Sequence, residues 1–131
     1  MRTPLLIAVA ALAAAAGPAL AATDWQSLGE NANGNRIFVD KGSVKAGAGF
    51  TAVTFRTELK AALDTPGGAI TSMRSQMRVD CKNMTAAGVE VVLYEDEAKN
   101  KAFSRNKAQK IEYLKEPAGS SADLVIRHVC K

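Results

Sequence analysis

The residues of this sequence that are best suited to binding chemistry are cations, and the densest group lies between residues 99 and 110. This segment reads KNKAFSRNKAQK and holds five cations without an acid: Lys99, Lys101, Arg105, Lys107 and Lys110. Such a cluster attracts phosphate or sulfate groups, whether on lipopolysaccharide, glycosaminoglycan or nucleic acid. The ring of Phe103 is expected on the surface of the same segment. The alternative is a solvated hairpin loop, whose charge is offset by the acidic run EDE at residues 95–97.

A second group of cations, Arg56, Arg74 and Arg78, belongs to two segments in which apolar and polar residues alternate. Alternation with a period of two is typical of strands with one buried face, so these arginines share the outer face of a predicted hairpin. Arg56 is expected close to Arg74, and like charges directly opposite one another are unfavourable. Either an anionic ligand meets this face, or Glu58 and Asp80 offset its charge.

No residue of the sequence is predicted to be catalytic, and no metal or cofactor site is predicted. His128 is the only histidine, and no nucleophile motif accompanies it for a catalytic triad. Asp40 is expected to cap the turn DKGS by accepting backbone N–H bonds. The acidic run at residues 95–97 lacks the spacing of a calcium-binding loop. We therefore expect a protein that is not an enzyme.

The sequence contains two cysteines, Cys81 and Cys130, so only one intramolecular pairing is possible. The alternatives to a disulfide are a zinc site and thiol redox chemistry. Two cysteines and one histidine supply too few ligands for a zinc site, and the redox motif C-x-x-C is absent. We therefore predict a structural disulfide between Cys81 and Cys130, which export to an oxidising compartment favours.

The first 21 residues have the features of a signal peptide. Arg2 supplies a cationic start, an apolar run extends over residues 5–16, and the pattern ALA at residues 19–21 is typical of a cleavage site. No cysteine lies near this site for lipid attachment, and no second apolar segment is long enough to span a membrane. We expect a periplasmic or secreted protein, with residues 22–131 as a single domain of net charge +3 once Arg2 is lost. Export argues against nucleic acid as the partner.

Several segments of period-two alternation predict an antiparallel sheet. The clearest pair covers residues 51–59 and 71–81, with the turn sequence DTPGG between them. In the second segment Cys81 falls on the same face as Met77 and Val79, and it is therefore expected to point into the core. Four further strands are expected, at residues 25–29, 36–40, 89–95 and 110–114.

The last segment of the chain changes to the period of a helix. Ser120 is placed to cap this helix, with Asp123 three residues later in the capping-box position. The apolar residues recur at helical spacing and form one stripe: Ala122, Val125, Ile126, Val129 and Cys130. We therefore predict an α+β fold, in which five to six antiparallel strands carry a C-terminal helix on one face, tied to the sheet by the disulfide.

A set of short motifs occurs along this chain in a fixed order. They are Trp25, FVDKGSV with Asp40 and Ser43, VDC with Asp80 and Cys81, PAGSS with Pro117 and Ser120, and HVC with Cys130. In these residues the chain resembles the surface-adhesin protein E family of small exported bacterial domains. The resemblance implies an antiparallel sheet with a C-terminal helix fixed by the disulfide, and it implies adhesion to proteins of the host matrix. The matching positions are structural, so no ligand-contacting residue is carried over.

Together these features predict an exported, non-enzymatic binding domain that engages a protein or a polyanionic surface through its hairpin loops and its basic outer face. The alternative is a periplasmic structural or inhibitor-type module that docks on an enzyme of the cell envelope. The glycine-serine signature of small lysozyme inhibitors is not found here. No oligomeric state follows from the sequence.

Overall fold

A computed structural model describes residues 23–131, so the predicted signal peptide lies outside the described residues. Within this range the chain forms one antiparallel sheet of seven strands, followed by one α-helix. These elements are β1 (Trp25–Glu30), β2 (Arg36–Asp40), β3 (Lys45–Ala46), β4 (Thr51–Thr65), β5 (Gly68–Asp80), β6 (Thr85–Asp96), β7 (Lys101–Lys107) and α1 (Ser121–Val129). The order across the sheet is β1-β2-β4-β5-β6-β7, and β3 pairs with the start of β4. The predicted α+β fold is confirmed.

Strands β4 and β5 form the long hairpin that the alternation predicts. They meet at a two-residue turn, Pro66 and Gly67, and both strands extend to this turn beyond their predicted bounds. Gly68 follows with a φ of 141°, which residues with a side chain rarely adopt. The Thr65 hydroxyl donates a hydrogen bond of 2.6 Å to the Gly68 carbonyl oxygen and closes the turn.

Two predictions about the chain after β6 are wrong. The hairpin loop expected at residues 99–110 is mostly strand, because β7 pairs with β6 from Glu90 to Asp96. Residues 110–114 do not form a strand, although they alternate, and only Leu114 forms a bridge, with Ala86. Since β7 occupies most of the free edge of β6, only the short edge at the start of β6 is left for the later segment. The cations of β7 suit an edge strand, because charged side chains discourage pairing with other chains.

Helix α1 packs on one face of the sheet and closes the hydrophobic core. Val125 and Ile126 are 0% and 2% exposed, and they pack with apolar side chains of the sheet, among them Ile37, Val39, Val53, Phe55, Met77 and Val79. The Ser120 hydroxyl accepts a hydrogen bond of 3.2 Å from the backbone N–H of Asp123, as the capping pattern predicts. The predicted helix, its cap and its apolar stripe are therefore confirmed.

Cys81 and Cys130 form the predicted disulfide, with their Cα atoms 5.3 Å apart. The expectation that Cys81 points into the core is wrong. Cys81 is exposed, because it lies one residue beyond the end of β5, where the alternation of the strand has stopped. Cys130 is half-buried at the C-terminal end of α1. The disulfide therefore ties the end of the helix to the border of the core.

Candidate binding face

The sheet face opposite α1 carries Arg56 and Arg74 together with the buried side chains of Val92 and Tyr94, each 6% exposed, and we call it the outer face. Among residues 23–131 no α-helix packs on it, because α1 lies on the core face. The strand register places Arg56 opposite Arg74, as predicted, and places both Arg74 and Arg105 opposite Val92 from its two sides. Arg105 and Lys107, from the group at residues 99–110, therefore lie on the same face as Arg56 and Arg74, whereas Lys99 and Lys110 lie outside β7.

Glu97 removes the repulsion expected between Arg56 and Arg74. Arg56 donates from Nε to Glu97 Oε2 over 2.5 Å, and Arg74 donates from its own Nε to the other oxygen, Oε1. Ser72 donates its hydroxyl to Oε2 over 2.8 Å. The Glu97 side chain is only 11% exposed, so water screens these contacts weakly. One carboxylate therefore joins the arginines of two neighbouring strands.

Glu58 offsets positive charge on this face as predicted, whereas Asp80 does not. Glu58 accepts from Nη1 of Arg56 at 3.0 Å and also pairs with Arg36. Asp80 instead caps the turn after β5, where it accepts hydrogen bonds from the backbone N–H of Lys82 at 3.0 Å and from the amide side chain of Asn83 at 2.7 Å. The charge of the arginine pair is therefore balanced by Glu58 and Glu97.

The arginines lower the pKa of both carboxyl groups. Burial acts to raise the pKa of Glu97, but hydrogen bonds from Arg56, Arg74 and Ser72 outweigh burial and hold this pKa below its ordinary value. Burial likewise acts upward on the pKa of Glu58, and the hydrogen bonds from Arg36 and Arg56 bring it below its ordinary value. Both groups are therefore ionised at neutral pH.

Aromatic rings lie against the arginines of the outer face. The guanidinium carbon of Arg74 lies 5.2 Å from the centre of the Trp25 ring and 5.8 Å from that of Tyr94. At these distances the positive charge is attracted to the negative faces of the rings. The same contact recurs at two other pairs, Arg56 with Phe38 at 5.3 Å and Arg78 with Phe50 at 4.6 Å.

The cations of residues 99–110 are partly neutralised. Lys101 pairs with Glu95 over 2.7 Å, and Arg105 pairs with Glu90 over 2.5 Å. Within the part of the chain that the structure describes, three lysines of this segment make no ion pair: Lys99, Lys107 and Lys110. The acidic run before β7 therefore offsets a part of the charge, as the alternative interpretation expects, and leaves three lysines for a partner.

Phe103 is less exposed than the sequence suggests. It is half-buried, and its ring lies so close to Gly67 that a Cβ atom added there would be 3.2 Å from the ring. Because Gly67 belongs to the turn between β4 and β5, the ring packs against the tip of the hairpin. Phe103 is therefore a poor candidate for a contact with a partner.

Sequence reasoning missed five residues that organise the outer face: Trp25, Phe38, Phe50, Tyr94 and Glu97. Nothing in the acidic run distinguishes Glu97 from its neighbours, because only the chain reversal after β6 directs it over the arginines. The position of Phe38 on the outer face could have been predicted from its neighbours. It lies between Ile37 and Val39, which are both 0% exposed, and so it must occupy the other face of β2.

The described residues offer little for other kinds of chemistry. Within residues 23–131 no group of three or more histidine, cysteine, aspartate or glutamate side chains is placed to hold a metal ion. Asp40 accepts a hydrogen bond of 3.1 Å from the backbone N–H of Gly42, which is the predicted cap, and His128 lies half-buried on α1. No helix in this range has the length and apolar character needed to cross a bilayer.

The chain matches the family model described as surface-adhesin protein E over residues 25–131. It is similar to crystal form II of Haemophilus influenzae protein E, with a TM-score of 0.56 and 17% identity, over 82% of this chain and 91% of that chain. For protein E from non-typeable Haemophilus influenzae the TM-score is 0.54 at 17% identity, over 81% and 74% of the two chains. At such identity the solved structures show a shared fold alone. No curated protein matches the sequence significantly.

Proposed function

We propose, because this chain belongs to the surface-adhesin protein E family, that it is an exported, non-enzymatic binding domain whose outer face holds an anionic partner. The family description supports adhesion as the general role, and the outer face supplies a surface for it. The residues proposed to meet the partner are the two groups of cations: Lys99, Lys101, Arg105, Lys107, Lys110, Arg56, Arg74 and Arg78.

The observation that carries this proposal is the set of arginines held by carboxylates and aromatic rings on a face that no α-helix of residues 23–131 covers. An uncovered sheet face alone is ordinary, because antiparallel sheets commonly leave one face in water. Its composition carries the argument. Arginine, tryptophan and tyrosine are the residue types that contribute most to binding energy at protein interfaces.

The proposed location is the periplasm or the cell exterior, with residues 22–131 as the single domain after removal of residues 1–21. Disulfides persist in oxidising compartments, and this chain has one. The family description also names a surface protein. N-terminal sequencing of the protein purified from its native envelope tests this location, with a start near Ala22 as the expected result. A chain that still begins at Met1 would contradict it.

The binding proposal is tested by the salt concentration at which the exported domain elutes from immobilised heparin, used as an anionic probe. Replacing Lys101, Arg105 and Lys107 together by serine is expected to lower this concentration clearly, because fewer cations neutralise the matrix. A matched control replaces three cations elsewhere by serine: Lys82, Lys115 and Arg127. The control changes the net charge equally but leaves the outer face intact.

Earlier elution of the first variant than of the control supports a localised anion-binding face. Equal elution of the two variants would contradict the proposal, because retention would then follow net charge alone. Co-purification from the periplasm with one stoichiometric enzyme would instead favour the inhibitor-type alternative.

A further inference from the structure

A recess of about 210 Å³ lies on the outer face, over the strands β4 to β7. Its walls include Arg74, Gln76, Glu90, Tyr94 and Arg105. Gln76 and Glu90 lie directly opposite one another in the pairing of β5 with β6, so they occupy the same row of the face. Pockets for drug-sized ligands are generally about 300 Å³ or larger. This recess therefore suits a group about as large as one side chain.

Arg74 is held at this recess without using all of its donors. Its Nε donates to Glu97, and its guanidinium lies against the rings of Trp25 and Tyr94. Its terminal nitrogens, Nη1 and Nη2, have no hydrogen-bond partner among residues 23–131, and the side chain is 38% exposed. Arg56, by contrast, uses both Nε and Nη1 for carboxylates. Arg74 therefore presents fixed and unused donors.

The side chains that line the recess determine which ligand it can bind. Two parallel N–H groups of a guanidinium match the two oxygens of one carboxylate. On the neighbouring strand β6, Glu90 Oε1 accepts from Arg105 at 2.5 Å, while Oε2 has no partner in the described part of the chain. Glu90 can therefore accept one further N–H bond. The recess offers donors from β5 and an acceptor from β6.

We infer that this recess recognises an acidic side chain of a partner protein, with the carboxylate on Arg74 and a neighbouring backbone N–H on Glu90. A densely sulfated polymer is a poorer fit, because Glu90 and Glu97 repel its remaining charges. The inference rests on the proposed binding role of the outer face and specifies its partner as an acidic segment, meaning a stretch of protein that places one acidic side chain in the recess.

An NMR titration of residues 22–131 with N-acetyl-glutamate amide tests the inference, because this probe carries one carboxylate and backbone-like N–H groups. Saturable shifts are expected at Arg74, Gln76 and Tyr94. The neutral analogue N-acetyl-glutamine amide is expected to bind about tenfold more weakly, since it cannot form the charged bidentate pair. Equal binding of the two probes, or shifts confined to other residues, would overturn the inference.

Two variants separate recognition from folding. Arg74→Lys keeps the charge but loses the planar fork, and binding of the glutamate probe is expected to weaken about tenfold. Arg127→Lys, the same change on the exposed side of α1, is the matched control and is expected to have no effect. Should Arg74→Lys fail to fold, Gln76→Trp fills the recess from an exposed position and is expected to abolish the shifts. Unchanged binding in whichever variant folds would overturn the inference.

A heparin disaccharide in the same titration distinguishes this inference from the proposed function. Tighter binding of the disaccharide than of the glutamate probe at Arg74 and Gln76 would overturn the acidic-segment inference and leave an anion-binding outer face standing. Glutamate binding at the recess, together with equal heparin elution of the two serine variants, would support the inference and limit the binding face to the recess.

Discussion

The two faces of this sheet are held together by different forces. On the core face the side chains of Ile37, Val39, Val79 and Val125 are 0% exposed, and their contacts have no preferred direction. On the outer face Glu97 joins two arginines through hydrogen bonds whose direction and charge both matter. Apolar contacts are complete once water is excluded, whereas Arg74 keeps unused donors. The core face therefore determines the fold, whereas the outer face keeps hydrogen-bond donors that a partner can use.

The largest expected effect comes from the disulfide, which ties α1 to the sheet. Replacing Cys81 and Cys130 together by serine opens a loop with a sequence separation of 49 residues. The free energy of unfolding is expected to fall by about 4 kcal/mol, because the unfolded chain regains conformational freedom. Urea denaturation measures this loss. A loss below about 1 kcal/mol would contradict the role of the disulfide in holding α1.

The next effect comes from the packing of the core face itself. Ile126→Ala is expected to destabilise the domain by about 3 kcal/mol, because Ile126 is 2% exposed and its removal leaves a cavity. The neighbouring change Arg127→Ala is the control, with an expected loss below about 0.5 kcal/mol at an exposed position. Thermal unfolding at low and high salt should give the same loss for Ile126→Ala. A strong salt dependence of this loss would mean that charged groups also stabilise the core face, which would contradict the contrast between the two faces.

On the outer face, Glu97→Gln is expected to destabilise the domain by roughly 1–2 kcal/mol at pH 7. The substitution removes the charge that separates Arg56 from Arg74, which lie directly opposite one another. Glu95→Gln, which alters a single pair with the exposed Lys101, is the control with a smaller effect. Urea denaturation of the two variants at low salt measures the difference. Equal losses would mean that the bridge over the arginines does not stabilise the face.

The same Glu97 variant is expected to change the pH dependence of stability. The folded pKa of Glu97 lies below its ordinary value, so the group stabilises the fold above the pKa of the unfolded chain, near pH 4 to 5. This contribution is lost as the pH falls through the folded pKa. The stability difference between the natural chain and Glu97→Gln should therefore shrink on acidification. A difference that grows below about pH 4 would contradict the lowered pKa.

The sequence predicts the core face better than the outer face, for a physical reason. Burial needs only apolar residues at the right period, and the stripe that contains Val125 and Ile126 has that period. The capping of α1 by Ser120 is equally local. The exposed position of Cys81 could not be read from the alternation, because the strand ends one residue earlier. Local patterns therefore predict the hairpin and the helix but not the end of β5, and they also fail at residues 110–114, which alternate without forming a strand.

The outer face depends on contacts between residues that are distant in the sequence. The neighbourhood of Arg56 and Arg74 follows from the hairpin register and is predicted correctly. The approach of Glu97 to both arginines depends on how β6 turns back, and Trp25 reaches Arg74 only because β1 lies in the same curved sheet. Sequence periodicity holds no information on either contact. The candidate residues could therefore be named from the sequence, whereas the bridge and the rings that hold them could not.

The smallest expected effect lies at the border of the outer face and sharpens the contrast within it. Arg105→Ala removes a side chain that is 60% exposed and pairs with Glu90. We expect a loss of less than about 0.5 kcal/mol, because Glu90 is 12% exposed but the guanidinium of Arg105 lies mostly in water, and Lys107, opposite Glu90 in the register, remains as a cation. Denaturation at low salt measures this loss, which should vanish at high salt. A loss as large as that of Glu97→Gln would show that the charge network extends to β7. The pair of Arg105 with Glu90 would then stabilise the outer face as much as the bridge formed by Glu97.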